Sequence, residues 1–155
     1  MSGEHHYRVT TTWIGDRGTG TSGYRDYDRT VRIGVDGKPD VIGSADPAFR
    51  GDATHHNPED LLLIAISQCH LLSYLHACVT RGVVVTGYTD EASAVMAQEG
   101  NGGHFTSATL RPTVTVADES MVADAADAHR DAHEWCFIAN SVNFPIGHHA
   151  TVTVG

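Results

Sequence analysis

Asn57-Pro58-Glu59-Asp60-Leu61-Leu62-Leu63-Ile64-Ala65-Ile66-Ser67-Gln68-Cys69-His70, running on through Tyr74 and Cys78 to Arg81 and Gly82, is the stretch that decides the fold. Asn57 can accept a hydrogen bond at a helix start, Pro58 fits the first turn, and Glu59 and Asp60 complement the positive end of the helix dipole. The spacing predicts a helix from there to about Arg81, ended by Gly82 in the left-handed region. Its apolar residues occupy nearly every face, which predicts a helix in the middle of the molecule. Ser67, Gln68, His70, Ser73 and His76 interrupt the apolar run from Leu61 to Val79, so a buried helix is expected rather than a membrane span.

Outward from this helix, the remaining elements follow from local period. Tyr7 to Trp13 alternates as a strand with one buried face. Val31, Ile33 and Val35 alternate up to Asp36-Gly37, with Val41 and Ile42 beyond, a β-hairpin pattern. Gly43 to His56 has no period and reads as a long loop. Val83 to Met96 and Phe105 to Val116 carry β-branched runs around the glycine-rich Glu99 to Gly103, a second hairpin. Ser120 to Asn140 places Val122, Ala125, Ala126, His129, Ala132, His133 and Cys136 at helical spacing, and Ala150 to Val154 closes the chain as a strand. The order β-β-β, α, β-β, α, β predicts an α+β fold in a single domain over residues 1–155.

Composition narrows function. The chain has 155 residues, 41% hydrophobic and 19% charged, long enough to bury a core without disulfides or a structural metal. Ten Lys and Arg against nineteen Asp and Glu give a formal charge of -9, which disfavours nucleic acid as a partner. Met1 to Arg8 has neither the basic stretch nor the apolar run of a secretory signal, so a cytoplasmic location is expected. In a reducing compartment, Cys69, Cys78 and Cys136 are accounted for by burial or by reactivity rather than by a structural disulfide.

Cys69 and Cys78 lie about 180° apart around one helix and about 13 Å apart along it, so they cannot bond to each other. Cys136, on the inward face of the second helix, is the thiol that can meet Cys69, and Cys78 is the bystander. Buried cysteine usually packs as a small hydrophobe, and this suffices for Cys78. Around Cys69, the polar Ser67-Gln68-Cys69-His70 leaves reactive and inert readings both open. A reactive Cys69 needs a cation to hold its thiolate. It sits about 18 Å from the helix start, beyond the dipole's reach, so the candidates are Arg17, Arg25, Arg29 and Arg50.

The capped start Asn57-Pro58-Glu59-Asp60-Leu61-Leu62, Cys69 ten residues after Glu59, the stretch from Ala132 to Ser141 that holds Cys136, and the opening Trp13-Ile14-Gly15-Asp16-Arg17-Gly18-Thr19-Gly20-Thr21 together resemble the OsmC/Ohr family of peroxide-reducing proteins. The resemblance implies an OsmC-like fold of antiparallel sheets with two long central helices, in an intertwined homodimer. It implies a thiol peroxidase for organic hydroperoxides that is recycled by a dithiol of lipoyl or thioredoxin type. Cys69 then matches the peroxidatic cysteine, Cys136 the resolving cysteine, and Glu59 the acid that holds the activating arginine. Arg17 matches that arginine, with Arg25 and Arg29 as rivals. His70 stands where many members have an apolar residue. Ten helical residues separate Glu59 from Cys69 by about 15 Å, so a bridging arginine, a first turn that bends away or a second subunit is needed. No cofactor is required by this chemistry.

Two other classes of function fit parts of the sequence. His129, His133 and Cys136 at i, i+4 and i+7 share one helical face and could ligate a metal, although inward histidines more often satisfy one another by hydrogen bonding. A pocket that holds a small apolar ligand without turnover is the third.

Overall fold

The computed structural model describes residues 3–155, and it groups into two compact units, one up to Leu61 and one from Leu62 onwards. Met1 and Ser2, the start of the stretch read for a leader, lie outside the described residues.

The first unit holds one antiparallel sheet of three strands, β1 (Thr10–Trp13), β2 (Val31–Gly34) and β3 (Val41–Gly43), in that order. β1 is therefore shorter than the run from Tyr7 predicts. Between β1 and β2 the Asp16 carboxylate accepts from the N–H groups of Gly18 and Gly20 at 2.8 and 2.9 Å. Both glycines have positive φ, a conformation that a side chain disfavours. The Gly43 to His56 segment is not without structure: it carries a short 3-10 turn, Pro47–Phe49, capped by the Asp46 side chain.

α1 (Pro58–Thr80) carries the chain from the first unit into the second, with the bounds that its caps predict to within a residue. The Asn57 side-chain oxygen accepts from the Asp60 N–H at 2.8 Å, and the Asp60 carboxylate accepts in return from the Asn57 N–H at 3.3 Å. This reciprocal arrangement satisfies two N–H groups at the helix start. Gly82 ends it with φ 68°.

The second unit contains β4 (Val85–Asp90), β5 (Ser93–Glu99), β6 (Gly102–Leu110), β7 (Pro112–Val116), α2 (Val122–Trp135), β8 (Ile146–His148) and β9 (Thr151–Val154). Each long β-branched run is thus two strands rather than one. They break together, where the Asp90 carboxylate accepts from the Arg111 N–H at 2.7 Å and the Arg111 guanidinium donates to the Ser93 hydroxyl at 2.8 Å. β4 then joins the sheet β4-β7-β9, and β5 joins β5-β6-β8. The expected hairpin is β5–β6, turning at Gly100.

The sheets correct the expectation of purely antiparallel pairing. β4/β7 and β5/β6 are antiparallel, but β6/β8 and β7/β9 are parallel. Parallel neighbours need a crossover, and α2 supplies it, because both β8 and β9 follow α2 in the chain. The architecture is α+β with mixed sheets.

The core of this unit joins Tyr74, Ala77 and Cys78 of α1 to Val114 and Val116 of β7 and to Ala125, Ala128 and Ala132 of α2. Three alanines on one face let α2 approach closely. The Tyr74 hydroxyl donates to the Ala125 carbonyl at 2.9 Å in this buried layer. Tyr74→Phe is expected to cost about 1 kcal/mol, read from urea unfolding, because one buried hydrogen bond is lost without opening a cavity.

α1 is long and apolar enough to cross a membrane by length and composition alone. Three of its polar residues bond to the chain's own groups: Ser67 to the Asp90 carboxylate at 2.5 Å, His70 to His129, and Tyr74 to Ala125. The apolar faces of the helix are not all covered within this chain. Ile64, Leu72, Leu75 and Val79 form an exposed stripe at helical spacing, with Val79 75% accessible.

Candidate functional site

Cys69 lies on the middle of α1, half-buried, and forms part of the wall of a cavity of about 500 Å³ lined also by Leu72, Ser73, His76, Trp135 and Phe137. The His76 and Trp135 rings pack at 5.6 Å across it. Its wall is mostly apolar and carries neither arginine nor lysine.

Cys136 does not continue α2 as its period predicts. The helix stops at Trp135, and Cys136 follows in extended geometry, φ -70° and ψ 109°. The Asn140 amide turns back to donate to the Glu134 carbonyl at 2.9 Å, and the Ser141 hydroxyl donates to the Phe137 carbonyl at 2.7 Å, so side chains close the helix end. The Cys136 thiol is 1% exposed and accepts from the Ala139 N–H at 3.4 Å.

The structure places the Cys136 thiol beside the Cys69 thiol, and both are free. Burial, and after it the neighbouring Cys69 thiol, push the Cys136 thiol up to about 11. Its place at the negative end of α2 acts in the same direction. Cys136 is therefore a neutral thiol at physiological pH, sealed from solvent, while Cys69 faces the cavity. Cys78 is buried in the core, its thiol pushed up by burial, as expected of the bystander.

The other candidates belong to the first unit. The Arg17 guanidinium donates to the Arg25 carbonyl and lies 3.7 Å from the Asp28 carboxylate. Arg25 and Arg50 are exposed. Arg29 is held by the carbonyls of Tyr24 and Tyr27, each at 2.6 Å, with its guanidinium over both rings. Glu59 is half-buried in the first turn of α1.

The set His129, His133 and Cys136 does not assemble. Cys136 leaves the helix and pairs with Cys69, and His129 Nδ1 lies 3.0 Å from His70 Nε2. Among the described residues no three His, Cys, Asp or Glu side chains converge on a point that could hold a metal. What local pattern missed is the buried histidine pair itself. Both rings are 2% exposed, with Tyr74 stacked at 4.0 Å on His129 and with His148 and Asp90 nearby. Burial lowers His70 to about 4 and His129 to about 3, so both are neutral.

Comparison with known proteins now bears on this site. A family model described as OsmC-like protein matches residues 51–149. An OsmC-like protein of unknown function from Vibrio cholerae is 27% identical, covering 96% of this chain and 100% of its own, with a TM-score of 0.84. An organic hydroperoxide resistance protein from Elizabethkingia anophelis shares the fold at 18% identity, TM-score 0.67, over 100% of both chains. Organic hydroperoxide resistance protein OhrB of Bacillus subtilis does so at 17% identity, TM-score 0.63, over 95% of this chain and 98% of its own. No curated protein matches the chain. With well over half its length matched, the chain belongs to the OsmC-like protein family.

Proposed function

We propose that this protein is a thiol-dependent peroxidase that reduces organic hydroperoxides. The observation that carries the reading is the asymmetry of one thiol pair: Cys69 opens onto an apolar cavity, and Cys136, in contact with it, is sealed and protonated. The Cys69 thiolate attacks the terminal peroxide oxygen, forming an S–O bond as the O–O bond breaks. The alkoxide takes up a proton and leaves as an alcohol. Cys69 sulfenic acid then condenses with the Cys136 thiol, releasing water and forming a disulfide. An external dithiol, of lipoyl or thioredoxin type, returns both thiols by exchange.

The mostly apolar wall favours an alkyl-bearing hydroperoxide over hydrogen peroxide, since burying a substrate's hydrocarbon adds binding that hydrogen peroxide cannot supply. The cation that lowers the barrier to alkoxide departure is assigned to Arg17 or Arg25, with Glu59 as the acid that holds it. Steady-state reduction of cumene hydroperoxide and of hydrogen peroxide, run with a lipoyl dithiol and with thioredoxin, tests both substrate and reductant. No turnover of either peroxide with either reductant would refute the reading.

The proposal includes a homodimer. Ile64, Leu72, Leu75 and Val79 fall on one stripe of α1, and Phe137 beside the cavity is 79% exposed. A contiguous apolar stripe of this kind marks an interaction surface, and a second copy covers it. Leu72→Glu combined with Val79→Glu is expected to turn a dimer into a monomer in sedimentation velocity; a wild-type protein that sediments as a monomer would count against this assembly.

A further inference from the structure

The buried histidine pair occupies a particular place relative to the two thiols. His70 follows Cys69 on α1, and His129 stands on α2 two turns before Cys136. α2 otherwise meets the core through Ala125, Ala128 and Ala132, whose packing is non-directional and leaves the helix free to slide or roll. Directional bonds oppose that freedom. At the end of α1 the half-buried Arg81 guanidinium donates to the Asp131 and Asp124 carboxylates at 2.8 and 3.4 Å. Inside the core there are two more, the Tyr74 hydroxyl to the Ala125 carbonyl and, a turn nearer Cys136, the 3.0 Å contact between His70 Nε2 and His129 Nδ1.

This pair is costly to keep. His129 Nε2 and His148 Nδ1 are buried with no hydrogen-bond partner in the protein. A core selected for stability alone would fill the space with apolar side chains rather than leave such atoms unmatched. Both imidazoles are neutral, so the bond between them persists at physiological pH.

We infer that the His70–His129 hydrogen bond is a positioning latch, fixing the translation and rotation of α2 on α1 so that the Cys136 thiol is held against Cys69 for disulfide closure. The inference rests on the peroxidase reading above. His70 and His129 touch neither substrate nor the reacting sulfurs in this scheme; they act through the helices that carry the cysteines. The latch matters to the second chemical step and not to the first, because sulfenate formation does not involve Cys136.

The test separates those steps. Reduced protein is mixed with one equivalent of cumene hydroperoxide and quenched at intervals, with Cys69 sulfenate trapped by a cyclic 1,3-diketone and the disulfide counted by loss of free thiols. In His129→Leu the sulfenate is expected to form at the wild-type rate while closure slows about tenfold or more, the scale expected of a small misplacement of reacting groups. His129→Asn, whose amide reaches the Nδ1 position, is expected to recover most of the rate. Val116→Ala, a core truncation on β7, is expected to lower stability and leave closure unchanged. Should His129→Leu not fold, His70→Leu against His70→Gln gives the same comparison from the other helix.

Closure at the wild-type rate in the leucine variants, or equal slowing by Val116→Ala, would overturn the latch. A wild-type protein that forms neither sulfenate nor disulfide would overturn the peroxidase reading, and the latch with it.

Discussion

Cys69→Ser is expected to consume no organic hydroperoxide at all, whereas Cys136→Ser is expected to consume one equivalent and stop. The difference follows from the environments of the two sulfurs. Cys69 opens onto the apolar cavity, where a peroxide can reach it. Cys136 is closed off and held as a neutral thiol by burial, so it cannot substitute as the attacking group. Without Cys136, the Cys69 sulfenic acid has no internal thiol to condense with and awaits an external one. The serine hydroxyl is too weak a nucleophile to replace the thiolate, so the loss in Cys69→Ser is complete within the range of a peroxide assay. Cys78→Ser, by contrast, is expected to retain the rate. Equal peroxide consumption by all of these proteins would refute the assignment of roles.

The second large effect is on stability rather than on rate. In the unfolded chain His70 and His129 titrate near the ordinary 6.5, and in the fold burial lowers them to about 4 and about 3. Below 6.5 the unfolded state therefore binds more protons than the native one, and stability falls as pH falls. The loss begins near pH 6.5 and continues until the native histidines themselves take up protons, near pH 4 and pH 3. The two protons of this pair correspond to about 2.7 kcal/mol for each pH unit well inside that window, and His148, also lowered by burial, adds in the same direction. Lowered carboxylates such as Asp16, Asp52 and Asp118 contribute in the same direction only at lower pH, as pH drops through their own range. Urea unfolding between pH 7.5 and pH 5 thus isolates the histidines. A midpoint that stays level across that range would show that the pair does not stay neutral in the fold.

The parts of this molecule that its sequence reveals are those governed by neighbours in the chain. Asn57, Pro58 and Asp60 lie within one turn of each other, and they do set the start of α1. Helical period put Cys136 on the inward face of α2, and although the helix stops one residue short of it, its thiol still lies beside Cys69. Period did not reveal where α2 stops, since no glycine or proline marks Cys136. Asn140 ends the helix by reaching back to Glu134, a bond that no pattern announces. β8 was missed because it has three residues with Ile146 as its one large apolar side chain, and its pairing with β6 is set by the crossover. The histidine pair joins residues 59 apart, and neither ring's neighbours in sequence point to the other. The proposed metal face failed for the same reason that α2 ends early: its third ligand is no longer on the helix. Of the arginine candidates, Arg29 is the one whose binding by two tyrosine carbonyls and two rings follows only from the folded loop.

The most direct measurement is peptide mapping of the wild-type protein by mass spectrometry after one equivalent of an organic hydroperoxide, without added reductant. The assignment of Cys69 as attacking and Cys136 as resolving thiol predicts a single crosslink between the peptides that hold them, loss of two hydrogens from the intact mass, and Cys78 still free. Both thiols recovered reduced, or a crosslink through Cys78, would contradict it.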